Sequence, residues 1–136
     1  MATRQQLNDY LIQSPLHQWL GCEITCFRAE RGEVTVHLPF RREFLSDQDA
    51  EAAHGGIVAT LIDLTAHAAV HAAIGVGVPT VDLKVDFLRP ALLPLEAKGL
   101  PRRVGRTISV VDVDVFSRAG ELAAVGRAIF ALRESA

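Results

Sequence analysis

Cysteine is scarce in this chain: Cys22 and Cys26 are the only two among 136 residues. On one strand they would lie about 13 Å apart, beyond the roughly 7 Å between Cα atoms that a disulfide spans. Without a second pair, C-x-x-x-C is also a poor zinc pattern. Two free thiols in a reducing compartment are expected. Basic runs are missing too. No Lys/Arg run exceeds two residues and the net charge is -2, which leaves no electrostatic footprint for nucleic acid. Aromatic residues are few, and Phe40 and Phe44 lie in no basic stripe. No uninterrupted apolar run reaches the roughly 18 residues of a membrane span. Met1 to Tyr10 is polar and lacks the apolar core of a secretory signal, so no membrane association and a cytoplasmic location are expected. Repeats, linkers and low-complexity tracts are absent. A hydrophobic content of 49% with 22% charged residues describes one globular domain over 1–136, with room for one core.

What is present falls into a clear order. Residues 3–12 read as a short helix with Leu7, Leu11 and Ile12 on one face. Ser14-Pro15 reads as N-cap and first position of a second, with Leu16, Trp19 and Leu20 as its apolar side and Gly21 closing it. Residues 1–20 thus form an N-terminal helical segment. From Cys22 the period becomes two: Cys22, Ile24, Cys26 and Arg28 alternate with Glu23, Thr25 and Phe27. After a turn at Arg31-Gly32, Val34, Val36 and Leu38 alternate with polar residues, giving a hairpin that ends at Pro39. A polar loop over 40–53 is long enough to suggest function. A long apolar helix follows over 55–74 and stops at Gly75-Val76-Gly77-Val78-Pro79. Strands are expected over 80–88, 95–103, 107–117 and 122–132. The third alternates Val111, Val113 and Val115 with Asp112 and Asp114, the mark of a half-exposed antiparallel strand. Strands gathered around one apolar helix make an α+β fold, the sheet wrapped around that helix.

Asp63 lies inside this helix, which is otherwise apolar almost all round. Such a helix is expected to be buried. A carboxylate there is costly unless it is paired, hydrogen-bonded or neutralised. It is therefore a structural, hydrogen-bonded carboxylate or a working group. His54-Gly55-Gly56 at the helix start favours the second reading. Gly55 and Gly56 leave the helix start bare, and its N–H groups and dipole can receive a developing oxyanion. A donor of this kind plus a base or nucleophile is the requirement for acyl transfer to water.

With His54-Gly55-Gly56, Asp63 nine positions after the histidine, and Phe87-Leu88-Arg89-Pro90-Ala91 closing the next strand, the chain resembles hotdog-fold acyl-CoA thioesterases of the PaaI-like (phenylacetic acid degradation) type. Gly105-Arg106 before a long strand and Gly120 in the last hairpin also match. The likeness covers about residues 20–132. It implies an antiparallel sheet around one long central helix and hydrolysis of an aromatic or medium-chain acyl-CoA. It implies Asp63 as nucleophile or general base, the Gly55 N–H as the group polarising the thioester carbonyl, and Gln48 and Thr80 as residues that hold water or substrate. His54 and Gly56 complete the motif. No metal or redox cofactor is implied; coenzyme A enters as part of the substrate. One departure stands out. The position one turn after the carboxylate commonly carries a hydroxyl, and here it is His67.

Gly55 and Asp63 are eight residues apart on one helix, about 12 Å along its axis. One carbonyl cannot comfortably meet both. Two subunits with antiparallel helices solve this, Gly55 of one facing Asp63 of the other, so a homodimer with two shared sites is expected. The resemblance adds dimers pairing into a homotetramer. Asp63, His67 and His71 share a stripe at i, i+4 and i+8, a spacing that can present metal ligands. No further ligand or separate catalytic glutamate accompanies them, so no metal is expected; His67 is read as modulating Asp63. Arg89, Arg102, Arg103 and Arg106 lie near strand ends; Arg89 and Arg106 are candidates for the coenzyme A phosphates. Ile57, Leu61 and Leu64 are expected to line the acyl pocket. Two rival readings remain: a hotdog enoyl-CoA hydratase or dehydratase, whose differently spaced His and acidic motif is not found, and a non-catalytic acyl-CoA-binding module.

Overall fold

The computed structural model describes residues 2–132. Its elements are α1 (Arg4–Leu11), α2 (Pro15–Leu20), β1 (Glu23–Arg28), β2 (Glu33–Leu38), a single 3-10 turn (Arg42–Phe44), α3 (Gly55–Ile74), β3 (Thr80–Phe87), β4 (Leu95–Val104), β5 (Ile108–Phe116) and β6 (Leu122–Ala131). The six strands form one antiparallel sheet in the order β1-β2-β4-β5-β6-β3. It curves around α3, as the hotdog expectation requires. Val111, Val113 and Val115 are buried against the helix, while Asp112 on the outer face accepts two bonds from Arg127 at 2.7 and 3.0 Å.

α3 is long and apolar enough to cross a membrane, but half of it is buried inside this sheet. It is a core helix. Its burial is not uniform, contrary to the expectation. Val58, Leu61, Ile62, Thr65 and Ala69 are buried, whereas Gly56, Thr60, Asp63 and His67 form an open stripe.

The helix sits unusually close to the sheet. A Cβ built on Gly126 of β6 would lie 2.7 Å from the Ile62 side chain and 2.9 Å from the Lys84 carbonyl of β3. On Gly99 of β4 it would lie 3.1 Å from the Thr65 methyl and 3.3 Å from that residue's carbonyl. These two glycines set the height of α3 over the strands, and so the height of Asp63 beside Ile62.

Three details of the sequence reading are corrected. A β-bulge between Ile24 and Cys26 shifts the β1 register, so Phe27 rather than Cys26 packs toward the core. One inserted residue exchanges the two faces of a strand. Ile12, Leu16 and Trp19 are 43%, 49% and 45% exposed; only Leu7, Leu11 and Leu20 of these helices are buried. Ser14 holds the N-cap position without a side-chain capping bond, whereas Thr3 and Gln6 form a reciprocal capping box on α1. Both cysteines are free thiols, and burial pushes the Cys22 thiol up to about 11.

Gly126→Ala is expected to lower stability by roughly 1–3 kcal/mol, the usual cost of overpacking a tight contact. Thermal unfolding checks this; an unchanged melting temperature would mean that α3 does not press on β6.

Candidate active site

Three features converge at the start of α3. His54 is the N-cap, and its backbone at φ -56°, ψ 138° is not yet helical. Its Nδ1 accepts the Gly56 N–H at 2.9 Å, which leaves the ring proton on Nε2. Its carbonyl accepts the N–H groups of Ile57 and Val58. The chain entering the helix is fixed by the His54 N–H, which donates to the Phe44 carbonyl at 2.7 Å. Among the described residues, Gly55 is then the one residue of this first turn whose N–H has no partner. It faces a cleft of about 290 Å³ bordered by Val58, Phe87, Leu88, Arg89 and Ala124. The Phe87 ring lies 3.4 Å from where a Gly55 Cβ would be.

Two turns along the helix, Asp63 is half-buried on the open stripe. Its Oδ1 accepts the Thr80 hydroxyl at 2.7 Å. A carboxylate held through one oxygen keeps the other free to take a proton. Thr80 is the first residue of β3 and Phe87 the last. The two halves of the candidate site therefore stand at opposite ends of one strand: Asp63 with Thr80, and Gly55 with Phe87.

The other sequence-predicted residues spread out. The Gly56 amide is taken by His54. Gln48 is exposed in its loop and borders a shallow depression with Arg42, Glu43, Leu45 and Asp47; among the described residues it makes no bond to Gly55 or Asp63. Arg89 edges the Gly55 cleft and pairs with Glu121 at 3.0 Å. Arg106 lies in the β4–β5 turn, beside Thr107, whose carbonyl accepts the Leu132 N–H. Leu61 and Leu64 are core residues at 1% and 3% exposure and border neither the Gly55 cleft nor the cavity beside His67.

His67 is half-buried, and its Nε2 accepts the Val78 N–H at 3.3 Å. Burial, with added repulsion from His71 and His17, pushes its pKa below the ordinary 6.5 despite the opposing pull of Asp63. His71 instead stacks face to face with Tyr10, ring centroids 3.5 Å apart and 5° from parallel. Among the described residues, no three His, Cys, Asp or Glu side chains gather as a metal site. The sequence reading passed over Tyr10, the chain's one tyrosine, and His17. With Gln13, Ser14, His67 and Ala68 they line a cavity of about 300 Å³ against α3. The signal that marks them is weak: polar residues within short helices, pointed inward only by the way α1 and α2 fold back.

A family model described as the thioesterase superfamily matches residues 51–124, a span holding His54, Gly55, Asp63, His67, Thr80, Arg89 and Arg106 but not Gln48. A Halobacterium salinarum protein named as a "putative esterase" is 33% identical over 118 residues, 83% of this chain and 77% of that protein. A solved Bordetella protein of the thioesterase superfamily aligns with a TM-score of 0.88 at 32% identity, covering 95% of this chain and 97% of its own. The PaaI protein of the E. coli phenylacetic acid degradation operon aligns with a TM-score of 0.81 over 97% of this chain and 95% of its own. At 20% identity that likeness concerns the fold alone.

Removing the N-cap in His54→Ala is expected to cost about 1 kcal/mol, with His54→Asn retaining most of it because Asn caps well; chemical denaturation measures both. A second expectation concerns pH. Unfolded, His67 takes a proton near 6.5; folded, it stays neutral to lower pH. The unfolded state thus binds more protons in that window, and the stability His67 contributes is present above pH 6.5 and lost as pH falls below it. Melting curves of wild type and His67→Gln should diverge in slope between neutral pH and pH 5. Parallel curves would contradict the assignment.

Proposed function

The chain belongs to the thioesterase superfamily, and we propose that it is an acyl-CoA hydrolase of the PaaI-like type whose two active sites are shared across a homodimer. The observation that carries this reading is the division of labour along β3. A free helix-start N–H stands at one end of the strand and a hydroxyl-anchored carboxylate at the other.

β3 is one edge of the sheet, paired on one side only, by β6. Val81, Phe87 and the following Leu88 are 56%, 58% and 53% exposed. A long apolar edge of this kind is a template for another strand. Antiparallel pairing with the same strand of a second copy satisfies both facts. It covers the apolar edge, and a two-fold axis there carries Gly55 of one protomer toward Asp63 of its partner. Pairs of such dimers make the homotetramer we favour. Two free thiols are consistent with a cytoplasmic location.

In the proposed reaction the thioester carbonyl oxygen accepts the Gly55 N–H. Asp63 removes a proton from water as the water oxygen attacks the carbonyl carbon; in the covalent alternative its carboxylate attacks that carbon, and water then opens the resulting anhydride, regenerating Asp63 and supplying the proton for the sulfur. Negative charge gathers on the carbonyl oxygen, at the positive end of the α3 dipole. Collapse expels the coenzyme A sulfur, which takes up the proton. The Thr80 hydroxyl, donating to Oδ1, aims Oδ2 at the reacting atoms. Gln48, exposed on its loop, is our candidate for holding water or substrate at a shared site. Arg89, whose pairing with Glu121 is solvent-exposed and so weakly held, and Arg106 are our candidates for the phosphates. The reading requires no metal or redox cofactor. For the acyl group we favour aromatic or medium-chain acids, with the cavity beside His67 as the space for its far end.

Asp63→Asn should fold as wild type and release almost no thiol from any acyl-CoA. Gly55→Pro is the complementary test. Proline suits the first helical position and removes the N–H, its Cβ meeting Phe87 at ordinary contact distance and its ring filling the place the N–H faced, and the extended His54 backbone already meets the restriction proline places before it. A loss of about 10²–10³ in kcat is expected for one oxyanion donor. Co-refolding the two inactive variants should then restore about a quarter of wild-type activity, since half the dimers are mixed and each mixed two-fold dimer has one intact site. No recovery would place both residues in one subunit's site.

A further inference from the structure

The segment joining α3 to β3, Gly75-Val76-Gly77-Val78-Pro79, has few ties. Gly75 takes a left-handed φ of 76° and its N–H caps the helix on the His71 carbonyl. The Pro79 carbonyl accepts from Ala131 at 3.2 Å. Between these anchors, the one hydrogen bond to the segment among the described residues is that from the Val78 N–H to His67 Nε2. Val78 is itself buried at 7% exposure. Two residues later comes Thr80, whose hydroxyl donates to Asp63. His67 and Asp63 are one turn apart on the same helix face. The two bonds thus tie β3 to α3 at two adjacent rungs.

Resting on the hydrolase reading above, we propose that His67 is a positioning residue: its neutral ring anchors the Val78 N–H and so holds the Thr80 hydroxyl on the Asp63 carboxylate. The anchor works in one protonation state only. Neutral with its proton on Nδ1, the ring offers Nε2 as an acceptor. Protonated, it turns an N–H against the N–H of Val78, two donors facing one another, and the segment carrying Thr80 is released.

The surroundings favour the neutral form. Tyr10 of α1 lies parallel to the ring at 6.1 Å and Phe130 of β6 meets it edge-on at 5.8 Å. His17 of α2 lines the same cavity, and His71 follows on α3; either would repel a charge on His67 once protonated. Of these titratable neighbours, Asp63 is the one that attracts a charge on the ring. Tyr10 also limits where the segment can go, since its hydroxyl lies 2.8 Å from a Cβ placed on Gly77.

Glutamine separates the anchor from the titration, because its side-chain carbonyl accepts an N–H at every pH. The test is the amide resonance of Val78 followed against pH by NMR, in wild type, His67→Gln and His67→Leu, with kcat and KM measured alongside on an acyl-CoA that wild type hydrolyses. In wild type the Val78 and Thr80 amides should move with the His67 ring titration, and in His67→Gln they should not. The acid fall in kcat should shrink in His67→Gln, whereas His67→Leu should lose on the order of 10- to 100-fold in kcat through misplaced reacting groups, over and above any change in KM from its place beside the acyl cavity. His67→Leu combined with Thr80→Val should be no worse than either alone. A Val78 amide indifferent to the His67 titration, or additive losses in the double variant, would overturn the proposal. A chain that turns over no acyl-CoA would remove the hydrolase reading, while the amide titration would still decide whether His67 holds the segment.

Discussion

A twenty-residue helix that water does not suit organises this molecule. α3 is apolar along most of its length, and the sheet exists around it as a sleeve. Burying several Val, Leu and Ile side chains, at roughly 1.5–3 kcal/mol each, supplies the dominant force. Contact is close because Gly99 and Gly126 remove the side chains that would hold helix and strands apart. The same closeness constrains chemistry. Asp63 follows Ile62, which touches β6, and it leans on Thr80 of β3. Its placement is an outcome of packing more than of local hydrogen bonding.

The start of the helix solves a different problem. Four N–H groups at any helix start lack partners within the helix. Here the Phe44 carbonyl takes the His54 N–H, the His54 ring takes that of Gly56 and the His54 carbonyl takes that of Ile57. The remaining N–H is that of Gly55, a residue that lines a cleft. An electrophilic corner arises from a capping arrangement that leaves one donor over. The histidine of the His-Gly-Gly motif has a plain physical duty in this account: it satisfies a neighbouring amide and orients the entering chain.

Much of this was legible in the sequence because punctuation there is strong. His54-Gly55-Gly56 opens α3 and Gly75 closes it, so its limits of Gly55 and Ile74 agree with the expectation. The valine and aspartate alternation of β5 identified both of its faces. What could not be read is governed by tertiary detail. The β1 bulge depends on pairing with β2, and nothing within Glu23–Arg28 announces it. Leu16 and Trp19 look like the buried side of an amphipathic helix, yet α2 is too short to turn both inward. Leu61 and Leu64 sit one step around the helix from Asp63, and that step separates core from open stripe. Val78 lies within a glycine- and proline-rich breaker, where a buried residue bonded to the long helix leaves no periodic signal.

The place of β3 in the sheet has a consequence for how the chain is made. Its one neighbour in the sheet is β6, which begins only at Leu122. As the polypeptide emerges from the ribosome, α3 and β3 arrive early, and β3 must wait through the synthesis of β4 and β5 before it has a partner. Contacts of such long sequence separation form slowly, and unpaired strand edges are hazardous in the interval. The nascent chain therefore carries an unpartnered strand edge from the synthesis of Phe87 until β6 has been made.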